Sequence, residues 1–126
     1  MTIGIGIDLI ELDRIRASLK RHGDRFKRRL FTEQEIKYCD AKRSNAFRHY
    51  AARFSAKEAV MKALGLGWQK GTSWKEIEVF RTQDGQPQIR LTGSTARIAL
   101  KLKSKRVLLS LTHSEHYAAA FVVIEG

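Results

Sequence analysis

Hydrophobic and polar positions alternate at the start of the chain. Ile3, Ile5 and Ile7 fall on one side and Gly4, Gly6 and Asp8 on the other, which predicts a strand over 2–8. Its isoleucine side is expected to face the core. From residue 12 the period lengthens. Leu12, Ile15 and Leu19 form a stripe that predicts a helix over 12–22, with Gly23 as its C-terminal cap. A short helical piece is expected at 24–30. Thr32 and Glu35 have capping-box spacing and open a further helix to about Cys39. The longest helix is expected over 45–64. Phe47, Ala51, Phe54, Met61 and Leu64 lie near one stripe, broadened by alanines, and Gly65 and Gly67 end it. Strands are expected at 77–82 and 88–91 around an Asp84-Gly85 turn, then an amphipathic helix at 94–104. Two apolar strands, 107–112 and 117–124, close the pattern with a link short enough for antiparallel pairing. Strands first and last, with helices between, predict an α+β fold. There is no repeat, low-complexity tract or linker, so residues 1–126 are expected to form a single domain.

Composition narrows the class. The 126 residues are 43% hydrophobic and 29% charged, a globular balance. The only cysteine, Cys39, excludes an internal disulfide and a cysteine-based zinc framework. No apolar run reaches the ~18 to 20 residues of a membrane span. The start, MTIGIGIDLIELDRI, lacks the basic opening of a secretory signal. A soluble chain in the reducing cytoplasm is expected, with no membrane partner. Lys and Arg number 24 against 13 Asp and Glu, a net charge of +11. Such an excess asks for an anionic partner: nucleic acid, a phosphorylated small molecule, an acidic protein or an acidic membrane.

The basic charge is clustered. Between residues 14 and 29 stand Arg14, Arg16, Lys20, Arg21, Arg25, Lys27, Arg28 and Arg29 against Asp24 alone. On one helix, Arg14, Arg21, Arg25 and Arg28 would share a face opposite Ile15, Leu19 and Phe26. One-sign crowding repels itself and favours an acidic surface as partner. Nucleic acid is the rival, but the patch has only Phe26 and Phe31 nearby and no RNA-binding signature.

Two carboxylates stand out. Asp8 ends the glycine side of the first strand. Glycine there admits close approach by another backbone, a helix or a phosphate, and tight packing against the long helix is one reading. The G-x-G-x-D pattern is neither a dinucleotide fingerprint nor a P-loop. Glu58 falls on the apolar stripe of the long helix, where an unpaired carboxylate is costly. Lys62, one turn on, would make it an ordinary i,i+4 pair; partial burial favours a functional role. Asp8 and Glu58, with waters and phosphates, would suit Mg²⁺. His113 and His116 lack zinc-motif spacing, although His113 at a strand end could donate to a phosphate.

These features together resemble the holo-acyl-carrier-protein synthases, the small phosphopantetheinyl transferases. The carriers are GIGIDLIELDRI at 4–15 and RFSAKEAVMKALG at 53–65, supported by DGQP at 84–87 and SLTHSEHYAAAFVVIE at 110–125. The resemblance implies that family's fold: a small, mostly antiparallel sheet packed around a long central helix. It implies Mg²⁺-dependent transfer of 4′-phosphopantetheine from coenzyme A to a serine of apo acyl carrier protein, releasing adenosine 3′,5′-bisphosphate. It also implies a place in fatty acid biosynthesis and a homotrimer with sites at subunit interfaces. Asp8 and Glu58 would hold the metal and, with Lys62, form the catalytic set. Arg53, Lys62, Gly65, Gly85, Pro87, Thr112 and His113 would border coenzyme A. Arg14, Arg21, Arg25, Phe26 and Arg29, with Phe54 nearby, would meet the carrier protein. The serine hydroxyl needs a base, either a metal-bound water relayed by Glu58 or Asp8 directly. The alternative is a small basic nucleic-acid-binding domain without catalysis, which leaves Glu58 unexplained.

Overall fold

The computed structural model describes residues 1–66 and 73–126. The expectations for Gly67 and the rest of the loop after Gly65 up to residue 72 lie outside the described residues. The chain runs β1 (Thr2–Glu11), α1 (Leu12–His22), α2 (Asp24–Leu30), α3 (Glu33–Asp40), α4 (Ala46–Ala63), β2 (Ile77–Arg81), β3 (Pro87–Leu91), α5 (Gly93–Lys101), β4 (Arg106–His113) and β5 (Tyr117–Glu125). Among the described residues all strand pairs are antiparallel, in a three-stranded sheet β1-β5-β4 and a two-stranded sheet β2-β3. The expected α+β class and central helix are both present.

Glycine decides how β1 meets α4. A Cβ on Gly6 would lie 1.9 Å from the Ala59 carbonyl oxygen, and one on Gly4 would lie 2.2 Å from that of Ala63. Only a strand without side chains at these positions can lie directly on the helix backbone. The tight-packing reading of the glycines therefore holds.

That contact corrects the expected facing of β1. The side against α4 carries Gly4, Gly6, Asp8 and Ile10, opposite Ile124, Val122, Ala120 and Ala118 of β5, which are buried. The isoleucine side points outward, with Ile5 63%, Ile7 64% and Leu9 65% exposed. Period two fixes which residues share a side; it is silent on which side the helix covers. The outward rows continue across the sheet as Ile5-Val123-Leu108 and Ile7-Phe121-Ser110.

A second correction concerns α4. It has no single apolar stripe. From Tyr50 to Leu64 every residue is buried except Ala52, Phe54, Glu58 and Lys62. Such a helix is enclosed on most of its circumference. Glu58 therefore stands on the open line Phe54–Glu58–Lys62, at spacing four, and not on a buried stripe. Gly65 closes the helix at φ +72°, with Leu66 N–H bonded to Met61 O (2.8 Å) and Gly65 N–H to Lys62 O (3.1 Å).

The capping box of α3 is present, but Glu35 does more than cap. Its carboxylate is 1% exposed and accepts from Lys57 Nζ (2.7 Å), Thr32 N–H (2.9 Å) and Val79 N–H (2.8 Å). Lys57, fully buried beside Glu58 on α4, also donates to the Trp74 carbonyl (2.9 Å). This ion pair ties α3, α4 and β2 together.

Glu76 caps α5 from a distance. It accepts from Ser94 N–H, Ser94 Oγ, Thr95 N–H and Thr95 Oγ1 at 2.8–3.2 Å. The Ser94 hydroxyl bond is the main cause that lowers its carboxyl to about 2, with the Thr95 and Ser94 amides adding to it. Stability from this cap is full above the unfolded carboxyl value near 4.5 and is lost as pH falls toward about 2. Glu76→Gln is expected to cost about 1 kcal/mol at neutral pH and less at pH 3, read from urea midpoints at both pH values. An equal cost at both would contradict the assignment.

Candidate active site

The glycine contact sets the register of the site. With Gly4 against Ala63 and Gly6 against Ala59, Asp8 comes level with Ser55, whose Oγ donates to the Asp8 carbonyl at 2.9 Å. Asp8 and Glu58, fifty positions apart in the chain, are thereby brought within electrostatic reach. Burial, and after it the Asp8 carboxylate, push the Glu58 carboxyl above its ordinary range, with Lys62 opposing. Two hard-oxygen donors that repel each other across an open seam are the donor chemistry a divalent cation of the Mg²⁺ kind requires.

Lys62 does not form the ordinary i,i+4 pair with Glu58 that was the alternative to a functional role. Its ammonium donates to the Ile7 carbonyl (2.9 Å) and to Asp8 Oδ1 (3.3 Å), while its side chain remains half exposed at 53%. It therefore bridges α4 to β1 and still presents positive charge to solvent. Phe54 completes the open line and stacks on Trp74 with ring centroids 5.1 Å apart.

A second feature lies at the other end of α4. A cavity of about 490 Å³ is lined by Asn45, Arg48, His49, Arg81, Thr112 and His113, among others. His113 ends the inner row of β4, opposite Ala118. His49 is pushed down to about 4, first by burial and then by Arg53, Lys42, Arg81 and His113, so it is neutral at neutral pH. Such crowding of positive charge favours a polyanion. Arg48, His49 and Arg81 escaped the sequence reading. Arg48-His49, on the turn of α4 just before the RFSAKEA motif, was the available signal.

Arg53 sits differently from expectation. It is 1% exposed, its guanidinium lies 4.1 Å from the Tyr38 ring centroid, and its Nε has no hydrogen-bond partner among the described residues. It contributes charge behind the cavity; its place on the wall is taken by Arg48 and Arg81. The β2–β3 turn is tied to the same cavity, because Arg81 Nη1 donates to the Gly85 carbonyl. Gly85 has φ +82°, which favours glycine there, and Pro87 opens β3. Gly65 lies at the opposite end of α4, beside Lys62.

The basic cluster also departs in one respect. The chain breaks at Gly23, so Arg14 and Arg21 ride on α1 and Arg25, Arg28 and Arg29 on α2, not on one continuous face. Asp40 engages Lys27 at 3.1 Å, Asp24 engages Arg28 at 3.9 Å, and Arg16 packs over Phe47. Arg14, Lys20, Arg21, Arg25 and Arg29 have no acidic partner among the described residues. Arg25, Phe26 and Arg29 line a pocket together with His22.

Fold and site together define a small α+β enzyme in which a carboxylate pair stands beside a half-exposed lysine. Residues 4–122 match the 4′-phosphopantetheinyl transferase superfamily. The chain is 46% identical over 126 residues, all of both chains, to holo-acyl-carrier-protein synthase of Solibacter usitatus. The synthase of Neisseria meningitidis superposes with a TM-score of 0.90 at 31% identity, covering 100% of each chain. That of Bacillus anthracis, solved with coenzyme A (3′,5′-ADP), superposes at 0.81 with 38% identity over 98% of this chain and 96% of the other. The chain belongs to the 4′-phosphopantetheinyl transferase superfamily, and within it to the holo-acyl-carrier-protein synthases.

Proposed function

We propose that this enzyme transfers 4′-phosphopantetheine from coenzyme A to a serine of apo acyl carrier protein, within one domain spanning 1–126. The observation that carries the reading is the register of Gly4 and Gly6 on α4, which sets Asp8 beside Glu58 and Lys62. A nucleic-acid module would have no use for that trio.

Asp8 and Glu58 are the residues that would hold Mg²⁺. When bound there, the ion would neutralise pyrophosphate charge and polarise the phosphorus under attack. Lys62, held by Asp8 and the Ile7 carbonyl, would offset the negative charge that grows on the leaving oxygen. The serine Oγ forms its bond to the β-phosphorus. The bond to the bridging oxygen breaks, and adenosine 3′,5′-bisphosphate leaves. The hydroxyl proton passes to a base at the carboxylate pair, either a water relayed by Glu58 or Asp8 itself. The cavity of Arg48, His49, Arg81, Thr112 and His113 receives the nucleotide phosphates, with Arg53 behind it and the Gly85–Pro87 turn beside it. Gly65, beside Lys62, borders the coenzyme. Incubation with coenzyme A, Mg²⁺ and an apo carrier should add the mass of one phosphopantetheine arm to the carrier serine. An unmodified carrier would overturn the reading.

The carrier docks on Arg14, Arg21, Arg25, Phe26 and Arg29, with Phe54 linking that surface to Glu58. Reversing Arg14 or Arg21 to Glu is expected to raise the apparent KM for the carrier roughly 10-fold with kcat little changed, and added salt should reproduce the effect in the parent enzyme. Normal KM at low salt would misplace the surface.

The outward face of β1, β4 and β5 is apolar enough to need a cover. We assign it to further copies of this chain, as a homotrimer. Light scattering should give three times the chain mass. Ile7→Lys, which sets a charge in the middle of that face, should give the mass of one chain; an unchanged mass would reject the assignment.

A further inference from the structure

Two basic surfaces have been assigned, one to the carrier and one to the coenzyme. A third remains. Residues 97–106 read RIALKLKSKR, with five bases and no acid. Arg106 is engaged by Glu125. Arg97, Lys101, Lys103 and Lys105 have no acidic partner among the described residues. Glu76, the acid that caps α5, is spent on the other end of that helix.

The corner is also apolar. Four consecutive residues, Leu100, Lys101, Leu102 and Lys103, are all exposed, with Leu100 at 74% and Leu102 at 45%. The helix has a buried side for leucine, since Thr95 and Ala99 are buried. Lysines at a helix C-terminus are favoured by the backbone dipole, but that leaves the two outward leucines unexplained. Beside Leu100 a shallow groove of about 260 Å³ opens between Ile89, Leu91 and Val107, with Lys105 at its wall.

The backbone adds a third observation. The turn that closes α4 places Gly65 at positive φ, as expected. The same turn closes α5, with Ser104 N–H on Ala99 O (3.0 Å) and Lys103 N–H on Leu100 O (2.9 Å). Here the residue at φ +63° is Lys103. A lysine in a conformation that favours glycine carries a local cost, and the return is a cation on the tip of the corner.

We propose that the α5–β4 corner is a docking surface for an anionic phospholipid bilayer. The occupant follows from shape and charge. The two exposed leucines alternate with unpaired lysines, and the groove beside them, about 260 Å³, is too small and shallow to seat a folded acidic partner. A bilayer interface is deformable. It takes leucine into the acyl boundary while lysine stems extend to the headgroups. No described helix is long and apolar enough to cross a membrane, and surface docking needs none.

The test is co-sedimentation of the whole protein with vesicles of phosphatidylcholine containing phosphatidylglycerol, and with phosphatidylcholine vesicles alone. Binding is expected only to the first. Leu100→Ser with Leu102→Ser keeps every charge and should weaken it at least about 5-fold, and Lys101→Glu with Lys103→Glu at least about 10-fold. Phosphopantetheine transfer in solution should be unchanged in both, which establishes that they fold. Arg21→Glu with Arg25→Glu should leave vesicle binding within about 2-fold of the parent. The proposal fails if the parent ignores anionic vesicles, if the leucine variant binds as the parent does, or if reversal on α1 and α2 abolishes binding. It also fails if the leucine variant weakens binding to soluble polyglutamate equally, since the surface would then belong to an acidic protein chain.

Discussion

Asp8→Asn and Glu58→Gln are each expected to slow phosphopantetheine transfer at least about 10²-fold while the fold survives, as loss of a group that acts in the transition state should. Both substitutions keep size and hydrogen-bonding capacity and remove charge. The main-chain contact that seats β1, from Ser55 Oγ to the Asp8 carbonyl, does not involve the Asp8 side chain. Glu58 is half-buried and repelled by Asp8, so neutralising it removes an unfavourable contact. Thermal midpoints close to the parent are therefore expected beside the collapse in rate. Turnover by mass spectrometry and melting by circular dichroism read the two separately. Near-parent turnover in either variant would remove that residue from the catalytic set. A large fall in melting temperature would make its role structural.

Lys57→Met is expected to have the opposite profile, a large loss of stability at a position next to Glu58. The Lys57–Glu35 pair has 0% side-chain exposure on both partners. Removing one partner of such a pair costs about 3–5 kcal/mol, because the other charge is left buried without compensation. For a domain of this size that approaches half of a typical stability of about 5–15 kcal/mol. Lys57→Met combined with Glu35→Gln should recover most of the loss. The Gln amide oxygen can still accept from Thr32 or Val79, and no charge remains. Glu35→Leu should rescue poorly, since it orphans both backbone N–H groups. Urea midpoints of the parent, Lys57→Met, Glu35→Gln and their double variant decide the matter. Additive losses in the double variant would show that the pair is not coupled.

Much of this was legible along the chain. Helix ends at Gly23 and Gly65, the capping box at Thr32 and Glu35, and the hairpin around Gly85 are set by residues a few positions apart, so local chemistry suffices to place them. The motif residues Asp8, Glu58 and Lys62 could be named for the same reason. Lys57 and Glu35 could not. Nothing near Lys57 in the chain marks it as buried, and Glu35 is read there only as a cap; their partnership spans 22 positions. Arg48, His49 and Arg81 were missed likewise, because the cavity that gathers them exists only after α4 packs near the ends of β2 and β4.

The sequence by itself determined the elements, their order, the alternation within β1 and the kinds of charge available, since these depend on backbone preference and on period. The tertiary structure decided what period cannot encode. It turned the glycine side of β1 to the helix and the isoleucine side outward. It moved Lys62 from Glu58 to Asp8 and drew Arg53 inward under Tyr38. The physical reason is steric. Only the side without Cβ atoms can reach the α4 backbone, and that approach sets the register that makes two distant carboxylates neighbours.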